Sequence, residues 1–372
     1  MLLDPSERLV MADYYLFGLS PQVMACTREL YSLANSTVPD QWLFVTNEVL
    51  YYLLPVVLGL ALVFTLLSSI VTAKMVTDSH ECYITGFNIS SFVLILMAAV
   101  VHLPAYVPLD GSDEYYKYAS IATPYLYVVE NWCFYSCTWL LMTAVIERAG
   151  HALCGRWHSS FGKIHGILAS LLIVVVCFVC TLPQYWEYEN AVVYEERDGY
   201  NCSKMVISPI DNIVEHSGGY VSEYYYYHWV LMIFSIALPY LCLPIMLPPM
   251  CCIKMHTYSA LSANGHISTY VDDYVSKDYM KDEKSFNRTL SVIVMLYLIL
   301  SGPRNAVKLF HNPPFFMNVC SSTLMSDTLV ILFDLLFYSM FLILFLFNLC
   351  CCAKFRRSLK SLRSRCCSRT HD

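Results

Sequence analysis

The chain is short of charge. Only 14% of its 372 residues are Asp, Glu, Lys or Arg, against about 25% in an average soluble domain, whereas 57% are hydrophobic. Four stretches carry no charged residue at all: 49–73, 82–109, 164–186 and 224–253. Each is longer than the roughly 20 residues that an α-helix needs to cross a hydrocarbon core of about 30 Å. This shortage favours an integral membrane protein over a soluble protein with long buried helices.

Other features are missing as well. Asp4 and Glu7 replace the basic start of a cleavable signal peptide, so we expect the first span to direct its own insertion. No repeat relates the first spans to the last, which counts against transporters built from duplicated halves. No group of His and carboxylates has metal-ligand spacing, so we expect no enzyme, no cofactor and no metal, and no nucleic-acid partner.

Three further apolar segments do contain charge, and they bring the number of predicted spans to seven. They are about Thr123–Ala144, Leu290–Phe310 and Met325–Leu349. The expected fold is all-α: a seven-transmembrane helix bundle with a short amphipathic C-terminal helix. We divide the chain into an extracellular arm (1–47), the transmembrane domain (48–350) and a cytoplasmic tail (351–372).

The distribution of Lys and Arg predicts the orientation. With the N-terminus outside, sixteen of these residues lie on the inner side and seven on the outer side, as the positive-inside rule requires. We therefore expect a plasma-membrane protein with an extracellular N-terminus. Asn35 and Asn201 are glycosylation sequons on outer segments. Cys26, Cys202 and Cys320 are the clearly external thiols, and the sequence leaves their pairing open.

The tail predicts a helix on the lipid surface. Phe355, Leu359 and Leu362 share one helical face, and basic residues surround it. Cys366 and Cys367 follow as candidates for palmitoylation, which would add a second anchor to the lipid bilayer. A disordered basic tail is the alternative.

Ionisable residues inside the spans are confined to the third, sixth and seventh. Glu130, Arg304, Lys308 and Asp334 all fall in the outer half by the 1.5 Å helical rise per residue. Such residues cost about 2.5–3.5 kcal/mol each at a helix centre, so they usually have partners or face a wet cavity. The predicted site is one polar cavity that opens outward between these three spans.

Two interpretations of these charges stay open at this point. In one they bind a ligand, with Tyr127, Trp132 and Trp139 as nearby aromatic residues; in the other a pair such as Glu130 with Arg304 only fixes helix packing. A proton path has little support, because span three offers few polar residues below Glu130. The outer segments hold sixteen carboxylates, which favours cationic guests such as Arg-containing peptides.

Several motifs resemble a known family. Thr143-Ala-Val-Ile-Glu-Arg-Ala-Gly-His-Ala-Leu-Cys154 looks like the Glu/Asp-Arg-Tyr segment of rhodopsin-like (class A) G-protein-coupled receptors. Ala122-Thr-Pro-Tyr-Leu-Tyr127 and Leu182-Pro-Gln-Tyr-Trp-Glu-Tyr188 resemble segments of the invertebrate FMRFamide-type neuropeptide receptors. Pro239 and Pro303 also fit the wider family. The chain diverges from it at Ala149, where Tyr is expected.

The resemblance implies a role for each motif. Arg148 would lie at the end that faces a heterotrimeric G protein and would pair with Glu147 in the inactive state. Glu130 would contact an arginine or the terminal amide of an extracellular peptide. The resemblance thus implies a receptor for a small cationic neuropeptide, with RFamide-like peptides as candidates. A nematode-type chemosensory receptor is the first alternative, and a seven-span transporter is the second.

Overall fold

The computed structural model describes residues 38–102, 113–154, 162–186, 188–197, 200–209, 227, 230–251, 270–310 and 323–368, with side chains mainly in the central parts of the helices. Eight α-helices account for most of this part of the chain. They are α1 (Val38–Met75), α2 (Ser79–His102), α3 (Asp113–Cys154), α4 (Lys163–Thr181), α5 (Leu238–Cys251), α6 (Tyr270–Phe310), α7 (Thr323–Cys351) and α8 (Ala353–Ser368). A 3-10 turn (Leu182–Trp186) follows α4, and a π-helical turn (Ile233–Ala237) leads into α5.

A β-hairpin lies in the segment that we expected to be an outer loop. Strands β1 (Tyr188–Arg197) and β2 (Tyr200–Pro209) pair antiparallel, from Tyr188 opposite Pro209 to Arg197 opposite Tyr200. The intervening dipeptide is Asp-Gly, which is a favoured two-residue hairpin connection. The sequence analysis did not predict this hairpin.

Within the described ranges, six helical segments are long and apolar enough to cross a membrane. They are Tyr52–Met75, Ser79–His102, Lys163–Tyr185, Val230–Pro248, Ser285–Asn305 and Ile331–Cys351. Each of the four charge-free stretches overlaps one of them, and two of the three charged spans coincide with the last two. The helical, multi-span character predicted from composition is therefore confirmed.

Helix α3 contains the remaining predicted span, but it is less apolar than the other six. It packs against α2, α4 and α5 near the centre of the bundle, and no residue from Val128 to Val145 is exposed. Helix α4 is the opposite case, with Leu172 63% exposed on its outer face. Because α3 is surrounded by other helices, its side chains are selected for interhelical contacts and not for contact with lipid.

The other helices close a ring around this core. Helix α1 packs against α2 and α7, α7 against α6, and α6 against α5. Helices α2 and α4 approach closely at Gly166, where an added Cβ would lie 2.6 Å from the Cα of Ser79. Only a residue without a side chain fits there, as is common where membrane helices meet.

The alternating direction of the helices creates two polar ends. Glu130 in α3, Arg304 in α6 and Asp334 in α7 lie toward one end, which we call the Glu130 side. Arg148 in α3 and Phe286 in α6 lie toward the other end, the Arg148 side, where α8 begins. Glu130 precedes Arg148 by 18 residues and Phe286 precedes Arg304 by 18, so about 27 Å separates the two levels on each helix.

Candidate functional site

Three ionisable side chains from three helices meet on the Glu130 side. Arg304 donates from Nη2 to Oε1 of Glu130 at 2.5 Å and from Nε to Oδ1 of Asp334 at 2.5 Å. All three are buried, with 4%, 3% and 6% of Arg304, Glu130 and Asp334 exposed. The predicted convergence of these residues is correct, and Arg304 is its centre. We call the three residues the Arg304 cluster.

Two aromatic residues complete the surroundings of Arg304. The Tyr338 hydroxyl accepts a hydrogen bond from Nη2 at 3.1 Å, and the Phe337 ring centroid lies 4.4 Å from Cζ, within cation–π range. The sequence analysis missed both. They stand three and four residues after Asp334, so they share its face of α7, and that spacing is the signal that could have identified them.

The Arg304 cluster is not balanced in charge or in hydrogen bonds. Two carboxylates face one guanidinium, which leaves one unit of negative charge when all three are ionised. Nη1 of Arg304 is buried and has no hydrogen-bond partner among the described residues. A buried donor without an acceptor is costly, as is a buried net charge, so this arrangement suits a site that a polar guest completes.

The remaining predicted ligand-binding residues, Tyr127 and Lys308, lie on α3 and α6 about one turn from Glu130 and Arg304. Tyr127 is half-buried one turn before Glu130 and is close enough to Tyr338 to interact with it electrostatically. Lys308 follows Arg304 by one turn of α6, and its side chain lies outside the described residues.

The placement of two tryptophans beside the cluster was wrong. Trp132 donates from Nε1 to the Val174 carbonyl at 2.9 Å and therefore faces α4. Trp139 stacks on Phe234, in the π-helical turn before α5, with ring centroids 4.5 Å apart. Helix rotation turns both away from the Arg304 cluster.

A chain of hydrogen bonds continues from the cluster toward the bundle centre. Asn305, next to Arg304, donates to the Tyr240 hydroxyl at 2.8 Å, and that hydroxyl bonds to Ser301. Ser301 bonds to the carbonyl of Tyr297, whose hydroxyl lies 2.5 Å from Oγ1 of Thr138 in α3. These contacts tie α5 and α6 to α3 below the cluster.

An apolar layer separates this chain from the Arg148 side. Leu141 and Val145 in α3, and Leu290 and Val294 in α6, are almost completely buried between the two levels. They lie between Thr138 and Arg148 on α3 and between Tyr297 and Phe286 on α6. The hydrogen bonds described above therefore do not extend past this layer on α3 and α6.

A second polar group occupies the Arg148 side. Arg148 contacts Nε2 of His80 through Nη2, and its Cζ lies 5.0 Å from the centroid of Phe286 in α6. Glu147 accepts a hydrogen bond from Ser79. The implied pairing of Arg148 with Glu147 stays a prediction, whereas His80 and Phe286 are contacts that the sequence analysis missed.

Glu81 links the start of α2 to α8. It accepts a hydrogen bond from the Thr77 backbone at 2.7 Å, which caps α2, and it forms an ion pair with Lys354. Ser285 in α6 also donates to the Cys351 carbonyl at 3.2 Å, at the end of α7. The ends of α2, α6, α7 and α8 are thus tied together on the Arg148 side.

Helix α8 has the apolar face that its sequence predicts. Phe355 is buried among Val71, Met75 and Phe345, and Leu359 and Leu362 pack at the edge of the same group. The face therefore rests on α1 and α7.

Cysteines surround the start of α8. Cys350 and Cys351 are exposed, whereas burial raises the pKa of the Cys352 thiol and so lowers its reactivity. Cys366 and Cys367 lie in the last turns of α8, and their side chains are outside the described residues.

The predicted modification sites of the outer segments lie mostly outside the described residues. Asn35, Cys26 and Cys320 fall beyond them, while Asn201 and Cys202 lie in β2 and are described only by their backbone. Glycosylation, palmitoylation and the disulfide remain predictions.

The fold indicates the class of protein, but comparison of the chain with known proteins identifies no family. Six helices of the described residues are long and apolar enough to cross a membrane, which fits a multi-pass membrane protein. No known protein family matches the chain, and no curated protein is similar enough to be matched.

Proposed function

We propose that the chain is a plasma-membrane receptor with seven spans and an extracellular N-terminus. It binds a small cationic peptide at the Arg304 cluster and transmits the event to a heterotrimeric G protein at the Arg148 side. The observation that carries this proposal is the buried excess of negative charge at the point where α3, α6 and α7 are joined by Arg304.

Helix α3 is the seventh span in this proposal. It links the two polar levels through the centre of the bundle, and Val128–Val145 has no exposed residue. A helix enclosed in this way can carry Glu130 without exposing it to lipid. A helix also satisfies its backbone hydrogen bonds internally, as a membrane-crossing segment must.

Competition for Glu130 supplies the mechanism. A cationic group of the ligand replaces Arg304 at Glu130, and Arg304 keeps Asp334 as its partner in α7. The bond between α3 and α6 is then lost, so the equilibrium shifts toward a state in which α6 is free to move. At its other end α6 carries Phe286, which covers Arg148 in the described state. Movement of α6 uncovers Arg148 for the G protein.

The transporter alternative is less compatible with these contacts. Leu141, Val145, Leu290 and Val294 interrupt the polar groups between the two levels of α3 and α6. A transporter needs polar groups through the bundle, whereas a receptor needs only a mechanical connection between its two ends. The chemosensory alternative differs only in the ligand, and the following experiment distinguishes it.

The proposal is tested by a ligand screen on cells that express the full chain. The panel contains amidated Arg-containing peptides, the same peptides with citrulline in place of Arg, and small volatile amines, with calcium and cAMP as readouts. We expect responses to the Arg peptides and at least tenfold weaker responses to the citrulline forms, because citrulline cannot replace Arg304 at Glu130. Responses to volatile amines alone would favour the chemosensory receptor.

A single substitution connects the response to the site. Glu130→Gln should weaken the potency of an active Arg peptide and raise signalling without ligand, at equal surface expression. Tyr125→Phe is the matched control, because Tyr125 lies on an exposed face of α3 beside Tyr185. Equal potency in Glu130→Gln and wild type would refute the proposed site.

A further inference from the structure

His80 lies between a cation and two carboxylates on the Arg148 side. Nη2 of Arg148 contacts Nε2 of His80. The guanidinium keeps its protons at every physiological pH and can only donate. Nε2 must therefore accept, so His80 is neutral in this state and carries its proton on Nδ1.

The second set of neighbours favours the opposite protonation state. A ring nitrogen of His80 and carboxylate oxygens of Asp78 and Glu81 all lie within 4.8 Å of one another. Carboxylates at this range stabilise an imidazolium. Neutral His80 can accept from Arg148 at Nε2, whereas the imidazolium has no acceptor left and can bind only anions such as Asp78 and Glu81.

Phe286 links the protonation state of His80 to the position of α6. Its ring centroid lies 5.0 Å from that of His80, in an edge-to-face arrangement, and 5.0 Å from Cζ of Arg148. One α6 side chain thus covers both members of the pair. Protonation places two cations, His80 and Arg148, side by side, and like charges repel, so protonation of His80 and displacement of α6 from this pair favour each other by linkage.

Other charged groups near His80 do not remove the dependence of the Arg148 contact on the protonation state of His80. Lys354 is engaged with Glu81, and Glu147 is engaged with Ser79. Cys82 and Tyr83, also on α2, are buried, whereas Lys74 on α1, Lys163 and His165 on α4, Arg288 on α6, and Arg356, Arg357 and Lys360 on α8 are exposed.

We infer that His80 is a pH-sensitive clasp on Arg148: neutral His80 holds Arg148 under Phe286, and protonated His80 turns to Asp78 and Glu81 and releases it. Acidification on this side of the membrane then favours the state with α6 displaced. Only the consequence for signalling rests on the proposed function; the clasp itself does not.

The test measures the position of α6 directly. Spin labels are attached through keto amino acids at Lys74 and Arg288, which are both exposed, so that the seventeen native cysteines do not interfere. Distances in the full chain are measured in lipid nanodiscs at about pH 8 and about pH 5.5, on either side of the ordinary His pKa of about 6.5. We expect a longer-distance population to grow at the lower pH.

Substitutions assign the response to His80. His80→Gln keeps an acceptor for Arg148 at every pH, so its distances should not change with pH. His165→Gln is the matched control and should respond like wild type. A response that persists in His80→Gln, or no response in wild type, would overturn the inference.

A second variant tests the clasp without altering His80. Arg148→Gln removes the cation, so protonation of His80 should become easier and the midpoint of the distance change should move to higher pH. An unchanged midpoint would also overturn the inference. G-protein activation measured on the same samples separates the two proposals: a His80-dependent distance change without G-protein activation supports the clasp and refutes the receptor function.

Discussion

At the scale of single residues, Arg304 shows how a cation can be kept inside a bundle. Two carboxylates, a tyrosine hydroxyl and an aromatic face surround it, from α3 and α7. Loss of a carboxylate and loss of Arg304 have different effects on the buried charge. Loss of Glu130 leaves a neutral pair with Asp334, whereas loss of Arg304 leaves two buried carboxylates facing each other.

This asymmetry predicts the order of stability of three variants. Arg304→Gln should destabilise the protein most, by about 3–5 kcal/mol, because it leaves buried charges uncompensated. Glu130→Gln should cost less, and Glu130→Gln combined with Arg304→Gln should recover part of the loss. Thermal unfolding of the purified protein in nanodiscs measures the order, with Arg288→Gln on an exposed face as control. Equal loss in all three variants would mean that the cluster is not charge-coupled.

At the scale of elements, sequence reasoning succeeded where the environment of a helix is uniform. The charge-free stretches predict helices that contact lipid, because a long apolar run has no other stable arrangement in a chain of this composition. Helix α3 is less apolar because helices surround it, and its charged residues are the more informative feature. The β-hairpin was missed, although its Asp-Gly connection is a local signal of the kind that predicts hairpins.

The contact between α2 and α4 gives a prediction at this scale. In Gly166→Ala the new Cβ would lie 2.6 Å from Cα and 2.7 Å from the carbonyl oxygen of Ser79, so the helices must separate. We expect a clear drop in thermal stability and a weaker hydrogen bond from Ser79 to Glu147. Gly59→Ala is the matched control: no atom lies within 4 Å of its new Cβ, so it should be neutral or stabilising by up to about 1 kcal/mol. Equal effects of the two substitutions would contradict the close approach.

At the scale of the whole molecule, the proposed receptor has its sensing end and its responding end at the two polar levels. About 27 Å of helix lies between them, and the apolar layer fills the part of this interval between the Thr138–Tyr297 contact and Arg148. Information must then pass by movement of helices, since the described side chains on α3 and α6 form no continuous polar path. The same division requires the two ends to face different compartments.

Glycosylation tests that orientation. Asn201 in β2 and Asn287 in α6 both stand in sequons, but they belong to opposite ends of the bundle. Asn201→Gln should reduce the mass of the protein from cells as a glycosidase does, whereas Asn287→Gln should leave its gel mobility unchanged. An unchanged mass of Asn201→Gln would contradict an extracellular position of β2.

The sequence by itself determined six apolar helices that can cross a membrane and the depth of the ionisable residues, because transfer of a segment into lipid depends on its own composition and length. It also placed Glu130, Arg304 and Asp334 at one level. Only the tertiary structure decided which way each helix is rotated. That rotation made Arg304 the common partner of two carboxylates and turned Trp132 toward α4. It also brought His80 to Arg148 under Phe286. Rotation of a helix about its own axis hardly changes its internal free energy. Packing against neighbouring helices therefore decides which face it presents to them.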